Sequence, residues 1–148
     1  LAATMVEHNF RSYCLLGDGE IQEGQIWEAA MFAGANKLNN LCAIIDANGF
    51  QNETSVVHTL PIDPIAEKWK SFGWNTVEVD GHSFEELINA FKIAKKVQDK
   101  PSCIIANTIK GKGVTFMENN NSWHGKKIDD KNLKDAIKEQ TDIISELN

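Results

Sequence analysis

The chain has 148 residues, 42% of them hydrophobic, and a formal net charge of −6. That suits one domain with a core of its own, while the acidity argues against sequence-independent nucleic-acid binding, which needs a basic footprint. No apolar run reaches the ~18 residues of a membrane span, and no basic segment followed by an apolar one opens the chain as a secretory leader would.

The chain begins Leu1-Ala2-Ala3 without an initiator Met, and this opening reads as the inside of a helix. We therefore expect residues 1–148 to be a single domain and a fragment of a longer chain. "RSYCLLG" (11–17) reads as a strand, and 22–37 as a helix. "LCAIIDA" (41–47) is a short unbroken apolar run, the mark of a strand buried on both faces. "DPIAEKWKSF" (63–72) reads as a helix with Asp63 as N-cap and Pro64 at the first helical position. "NTVEV" (75–79) is a third strand. Ser83 and Glu86 have capping-box spacing and open a helix reaching about Gln98. "PSCIIANT" (101–108) is a fourth strand, followed by a Gly-, Lys- and Asn-rich loop over 109–127. A last helix, 129–147, places Leu133, Ile137, Ile144 and Leu147 on one stripe.

Strands alternating with helices predict an α/β fold, a parallel sheet with helices on both faces. Ligands of such sheets bind at the carboxyl ends of the strands. The informative residues should therefore follow the strands: 17–24, 46–50, 80–82 and 109–125. Cys14, Cys42 and Cys103 are odd in number, far apart and each in an apolar run. They read as buried free thiols of a reducing cytoplasm rather than zinc ligands or disulfides.

"GDG" (17–19) ends the first strand. Two glycines let the backbone approach a ligand, and Asp18 puts a carboxylate at the sheet edge. The helix that follows brings free N–H groups and partial positive charge. The segment is not a P-loop, because Gln25-Ile26 stands where Lys-Ser/Thr is needed, nor a dinucleotide fingerprint, because the third glycine comes too late. One crossover later, "IIDANGF" places Asn48 thirty positions after Asp18. A carboxylate, a carboxamide oxygen and a nearby backbone carbonyl make a hard oxygen set suited to Mg²⁺ beside phosphate oxygens. Taken singly, G-D-G also fits a tight turn capped by Asp18, and Asn48-Gly49 a turn dipeptide.

G-D-G with an Asn about thirty residues on is the pattern of thiamine-diphosphate enzymes. "GDGEIQEGQIWEAAMFAGANKLNNL" resembles the diphosphate-binding, N-terminal half of transketolase. "FGWNTVEVDGHS", "KPSCIIANTIKGKG" and "WHGKK" are similar to it in the same order, so the likeness covers about residues 9–127. "KGKG" and "WHGKK" resemble the short, split transketolase N-terminal subunit in particular.

The resemblance implies that Asp18, Asn48 and the backbone carbonyl of Phe50 hold Mg²⁺, for which Ca²⁺ or Mn²⁺ can substitute. It implies cofactor contacts from Gly17, Asp18, Gly19, Glu20, Asn48, Phe50 and His124. Glu23 matches a glutamate beside the dimer interface that couples to the partner's cofactor-activating glutamate. His124 matches a catalytic loop histidine near diphosphate and substrate. Lys110 and Lys112 can serve phosphate or merely solvent. His82 reads as support for a turn, and Trp27 and Trp69 as packing residues. The helix over 22–35 is apolar or small on nearly every side, as if a subunit covered its outer face. "GFQNETSVVH" departs from the family's Ile-Asp-Gly run after the Gln.

The function implied is cytoplasmic transfer of a two-carbon ketol unit from a ketose phosphate to an aldose phosphate. It requires a pyrimidine-binding domain or subunit, in a homodimer or heterotetramer, without nucleic acid or membrane. The alternatives are another thiamine-diphosphate enzyme, such as 1-deoxyxylulose-5-phosphate synthase, and a non-catalytic assembly subunit of the same fold.

Overall fold

A computed structural model describes residues 1–6, 8–52 and 54–146. A short helix, α1 (Ala2–Met5), precedes β1 (Ser12–Gly17). A 3-10 turn over Glu20–Gln22 leads into α2 (Gly24–Ala35), and then β2 (Leu41–Ala47). A small antiparallel hairpin, β3 (Phe50–Gln51) and β4 (Thr54–Ser55), runs into α3 (Val56–Thr59) and α4 (Ile65–Ser71). β5 (Asn75–Asp80), α5 (Phe84–Lys96) and β6 (Ser102–Asn107) follow, and a loop with a 3-10 turn at Asn121–Trp123 precedes α6 (Asp130–Glu146). The predicted strands and helices are present, and their bounds differ by a residue or two, as helix and strand ends usually do.

β1, β2, β6 and β5 pair in that order, all parallel. Side chains along a strand alternate between faces, and both faces are apolar. Ala43, Ile45, Cys103 and Ile105 pack with Ala30 and Ala33 of α2 and Trp69 of α4. Cys42, Ile104, Ala106 and Val79 pack with Ala90 and Ala94 of α5. Helices thus lie on both faces, as the alternation predicts.

Trp69 is buried, with its ring edge-on to Trp74 at 4.6 Å and tilted against Trp27 at 5.9 Å. Trp74 Nε1 donates to the Ala30 carbonyl at 2.9 Å and ties the entrance of β5 to α2. Truncating a core aromatic of this kind to Ala costs roughly 3–5 kcal/mol, so this triad anchors α2 and α4 against one face of the sheet.

Three expectations are corrected. Pro64 is not inside a helix: its ψ of 120° is extended, it occupies the cap position, and Asp63 lies outside α4. The capping box is half formed. Ser83 Oγ accepts the Glu86 N–H at 3.3 Å, but the Glu86 carboxylate reaches back to the Asp80 N–H at 2.8 Å. Cys14 is exposed, unlike Cys42 and Cys103, because β1 is an edge strand among the described residues. The outer side of α2 is open in this chain, with Met31 and Phe32 each about half exposed. On α6, Leu133, Ile137 and Ile144 are exposed, and Leu147 lies outside the described residues. No described helix is long and apolar enough to cross a membrane.

Candidate functional site

Three strand ends meet at one edge of the sheet: Gly17 of β1 lies beside Asp46 of β2, and Ala47 of β2 beside Asn107 of β6. The loops leaving them build a cavity of about 410 Å³. Gly17, Gly19, Glu20, Glu23, Asn48, Phe50, Lys110 and His124 all line it. Residues separated by more than a hundred positions in the chain are thereby brought together. Asp18 lines the adjoining cavity of about 340 Å³, which also has Asp63, Glu67 and Glu78 on its wall.

Asp18 is 3% exposed. Its Oδ2 accepts the Gly49 N–H at 2.5 Å and its Oδ1 accepts the Gly19 N–H at 2.8 Å. Asn48 Oδ1 accepts the next amide, Phe50 N–H, at 2.9 Å. The carboxylate of the first loop and the carboxamide of the second thus bond neighbouring amides of one turn. That turn depends on Gly49, whose φ is +79°. Gly19 allows the two loops to touch, since a Cβ there would come within 2.5 Å of Gln51 Cβ.

Burial pushes the Asp18 carboxyl above its ordinary range. The Gly49 and Gly19 amides oppose the rise, and the charge of Asp46 adds to it. Among the described residues no Lys or Arg pairs with Asp18. A buried carboxylate lacking a counter-charge carries an unfavourable desolvation cost, which a bound cation would offset. No group of three or more His, Cys, Asp or Glu side chains is placed to hold a metal among the described residues. A cation here would rest on one carboxylate and neutral oxygens, a donor set that suits Mg²⁺ or Ca²⁺.

Glu20 folds back so that its carboxylate accepts the Gly17 N–H at 3.1 Å. This occupies a donor that a phosphate would want. Glu23 sits at the N-cap of α2, exposed and with no side-chain capping bond. The two lysines part company: Lys110 lines the cavity, whereas Lys112 Nζ pairs with Glu118 at 3.5 Å. The Glu118 carboxyl is held below its usual range by the Gly113 N–H first and by Lys112 in addition.

Four polar residues of the site were not singled out by sequence as site residues. Asp46 accepts the Thr108 hydroxyl on Oδ1 and the Asn48 Nδ2–H on Oδ2, the latter at 3.0 Å. Asn121 Nδ2 donates to the carbonyls of Gln51 and Asn52 at 3.1 and 3.0 Å, which fastens the late loop to the β2 loop beside His124. His82 does more than support its own turn: its Nε2 accepts the Ile109 N–H at 2.8 Å. Asp46 and Thr108 could have been suspected, since each falls at the carboxyl end of a predicted strand. Nothing in the local sequence around Asn121 or His82 announces its long-range bond.

A family profile described as "Transketolase, thiamine diphosphate binding domain" matches residues 2–142. The chain is 44% identical over 127 residues to the 6-deoxy-6-sulfo-D-fructose transketolase subunit SqwG of Clostridium sp. (strain MSTE9), covering 86% of this chain and 46% of that protein. It is 35% identical over 147 residues to an apulose-4-phosphate transketolase subunit of Phocaeicola vulgatus, covering 99% and 52%. The fold superposes on the crystal structure of transketolase from Campylobacter jejuni with a TM-score of 0.84 at 32% identity, over 90% of this chain and 21% of that one. The chain therefore spans about half the length of the two curated subunits it matches.

Proposed function

Because the chain belongs to the transketolase family, through its thiamine-diphosphate-binding domain, we propose that it is a component of a ketol transferase and holds the cofactor's diphosphate through a divalent cation. The observation that carries this reading is Asp18, a buried carboxylate with no cationic partner among the described residues, set against the Asn48–Phe50 turn. Asp18, Asn48 Oδ1 and the Phe50 carbonyl would supply the protein's oxygens to Mg²⁺, with Ca²⁺ or Mn²⁺ able to replace it. When bound, thiamine diphosphate supplies the nucleophilic carbon that takes up a two-carbon ketol unit.

The remaining tasks fall to this chain's residues. Gly17 leaves room for an anion against the backbone, Gly19 lets Gln51 close against the same loop, and the Glu20 carboxylate would swing from the Gly17 N–H to release that donor. Lys110 lines the same cavity and brings positive charge to a phosphate. His124, on the rim, can donate a hydrogen bond to a phosphate or substrate oxygen and return a proton to it. Glu23, exposed at the start of α2, would meet the partner subunit, together with the open apolar side of that helix. A pyrimidine-binding domain or subunit completes the site in this reading. The names of the two subunit relatives suggest an anionic sugar as substrate.

Replacing Asp18 by Ala tests the proposal. In the native polypeptide assembled with its partner, calorimetry should show loss of Mg²⁺-dependent thiamine-diphosphate binding, with ketol transfer lost alongside. Full activity in Asp18→Ala would refute it.

A further inference from the structure

Asn48 can serve a cation only if its carbonyl oxygen, and not its NH₂ group, faces the ion, and a free carboxamide has no strong reason to choose. Two half-buried side chains on neighbouring strand ends remove that freedom. Asp46 Oδ2 accepts from Asn48 Nδ2 at 3.0 Å, while Asp46 Oδ1 accepts the hydroxyl of Thr108 from the end of β6. A carboxylate is acceptor-only when ionised, so it recognises the NH₂ side of the amide and excludes the flipped arrangement. The flip is penalised a second time, because Asn48 Oδ1 already accepts the Phe50 N–H at 2.9 Å.

We propose that Asp46 and Thr108 form a clamp that positions Asn48 for the cation. This rests on the function proposed above. Asp46 does not touch the ion in this arrangement; it is a positioning residue. Thr108 fixes the Asp46 carboxylate from the neighbouring strand, and its own backbone N–H donates to the Ala47 carbonyl at 3.3 Å, so the clamp spans the β2–β6 seam twice. Thr108 is further confined by Gly81, where any Cβ would strike its methyl group. Partners that orient a metal ligand in this way commonly change metal affinity by about 10–100-fold when removed.

The experiment uses the native polypeptide with its co-purifying partner. Mg²⁺ is titrated calorimetrically in the presence of thiamine diphosphate. Asp46→Ala should weaken Mg²⁺ by about 10–100-fold. Thr108→Val, which keeps the shape and removes the hydroxyl, should weaken it by a smaller factor, and Thr108→Ser should restore wild-type affinity. In Asp46→Ala/Thr108→Val the second substitution should add nothing, because its target is gone. If Asp46→Ala fails to fold, the Val-versus-Ser contrast at 108 decides alone. A second readout needs no metal: the Asn48 side-chain NH₂ protons should exchange slowly in the wild type and faster in Thr108→Val. Wild-type Mg²⁺ affinity in Asp46→Ala, equal affinities for Val and Ser at 108, or additive effects would overturn the clamp while leaving the function standing. Absence of Mg²⁺-dependent cofactor binding in the wild type would overturn both.

Discussion

His82 Nε2 accepts the backbone N–H of Ile109 at 2.8 Å, across the carboxyl ends of β5 and β6. The bond pins the first residues of the loop that carries Lys110 and His124. It lies near solvent, so its net worth is modest, about 0.5–1.5 kcal/mol. We predict that His82→Gln, which keeps an acceptor at the same reach, preserves slow exchange of the Ile109 amide, and that His82→Ala accelerates it about tenfold, in keeping with that energy. Hydrogen-exchange mass spectrometry or NMR of the loop checks this. Equal exchange in both variants would mean the loop is held by other contacts.

Asp18 gives a pH prediction whose sign follows from its burial. Its folded carboxyl is raised above the unfolded value, chiefly by desolvation. The folded state then binds the proton more tightly than the unfolded one. Stability contributed by this group therefore falls as pH rises from the unfolded carboxylate value through the raised one, and stays low above it. Comparing thermal melts of wild type and Asp18→Asn without metal isolates the effect. The wild type should lose ground to the variant as pH rises from about 4 upward, and saturating Mg²⁺ with cofactor should restore the wild type alone. A difference that does not change with pH would contradict the desolvated state of this carboxylate.

Two glycines separate site from scaffold. A Cβ at Gly19 would press on Gln51 Cβ at 2.5 Å, whereas at Gly34 it would overlap the Phe72 carbonyl oxygen. Gln51 Cβ moves only with the short, partly exposed β3–β4 hairpin, which can shift as a loop, whereas a backbone carbonyl in a packed core cannot. Gly34→Ala should therefore destabilise the fold by about 2–3 kcal/mol, with cofactor binding intact in whatever fraction folds. Gly19→Ala should melt within a few degrees of wild type but weaken Mg²⁺-dependent cofactor binding by about tenfold or more. Chemical denaturation and calorimetry on the two variants separate these outcomes.

Much of the fold is legible in the sequence. "LCAIIDA" and "CIIA" have no polar alternation because they are the two central strands, covered on both faces, and that feature alone implies a parallel sheet with flanking helices. The placement of site residues just after the strands follows from the same topology. What escapes the sequence depends on pairings across long distances. Cys14 sits in as apolar a run as Cys42, yet one belongs to an edge strand and the other to the centre. Asp46 reads as a strand residue until Thr108, 62 positions away, arrives beside it. Local pattern carries no information on which strands become neighbours, so the donors and acceptors that join their ends stay silent in it.

The strand order has a consequence for how the protein is made. β6 is the last of these strands to leave the ribosome, yet it lies between β2 and β5 and is the only strand that either β5 or the inner edge of β2 pairs with among the described residues. Until residue 107 has emerged from the exit tunnel, β5 has no partner and the β2 edge stays open to stray pairing. Nascent chains of this sequence should therefore need shielding late in synthesis, and the sheet should close in one step when its central strand slots in.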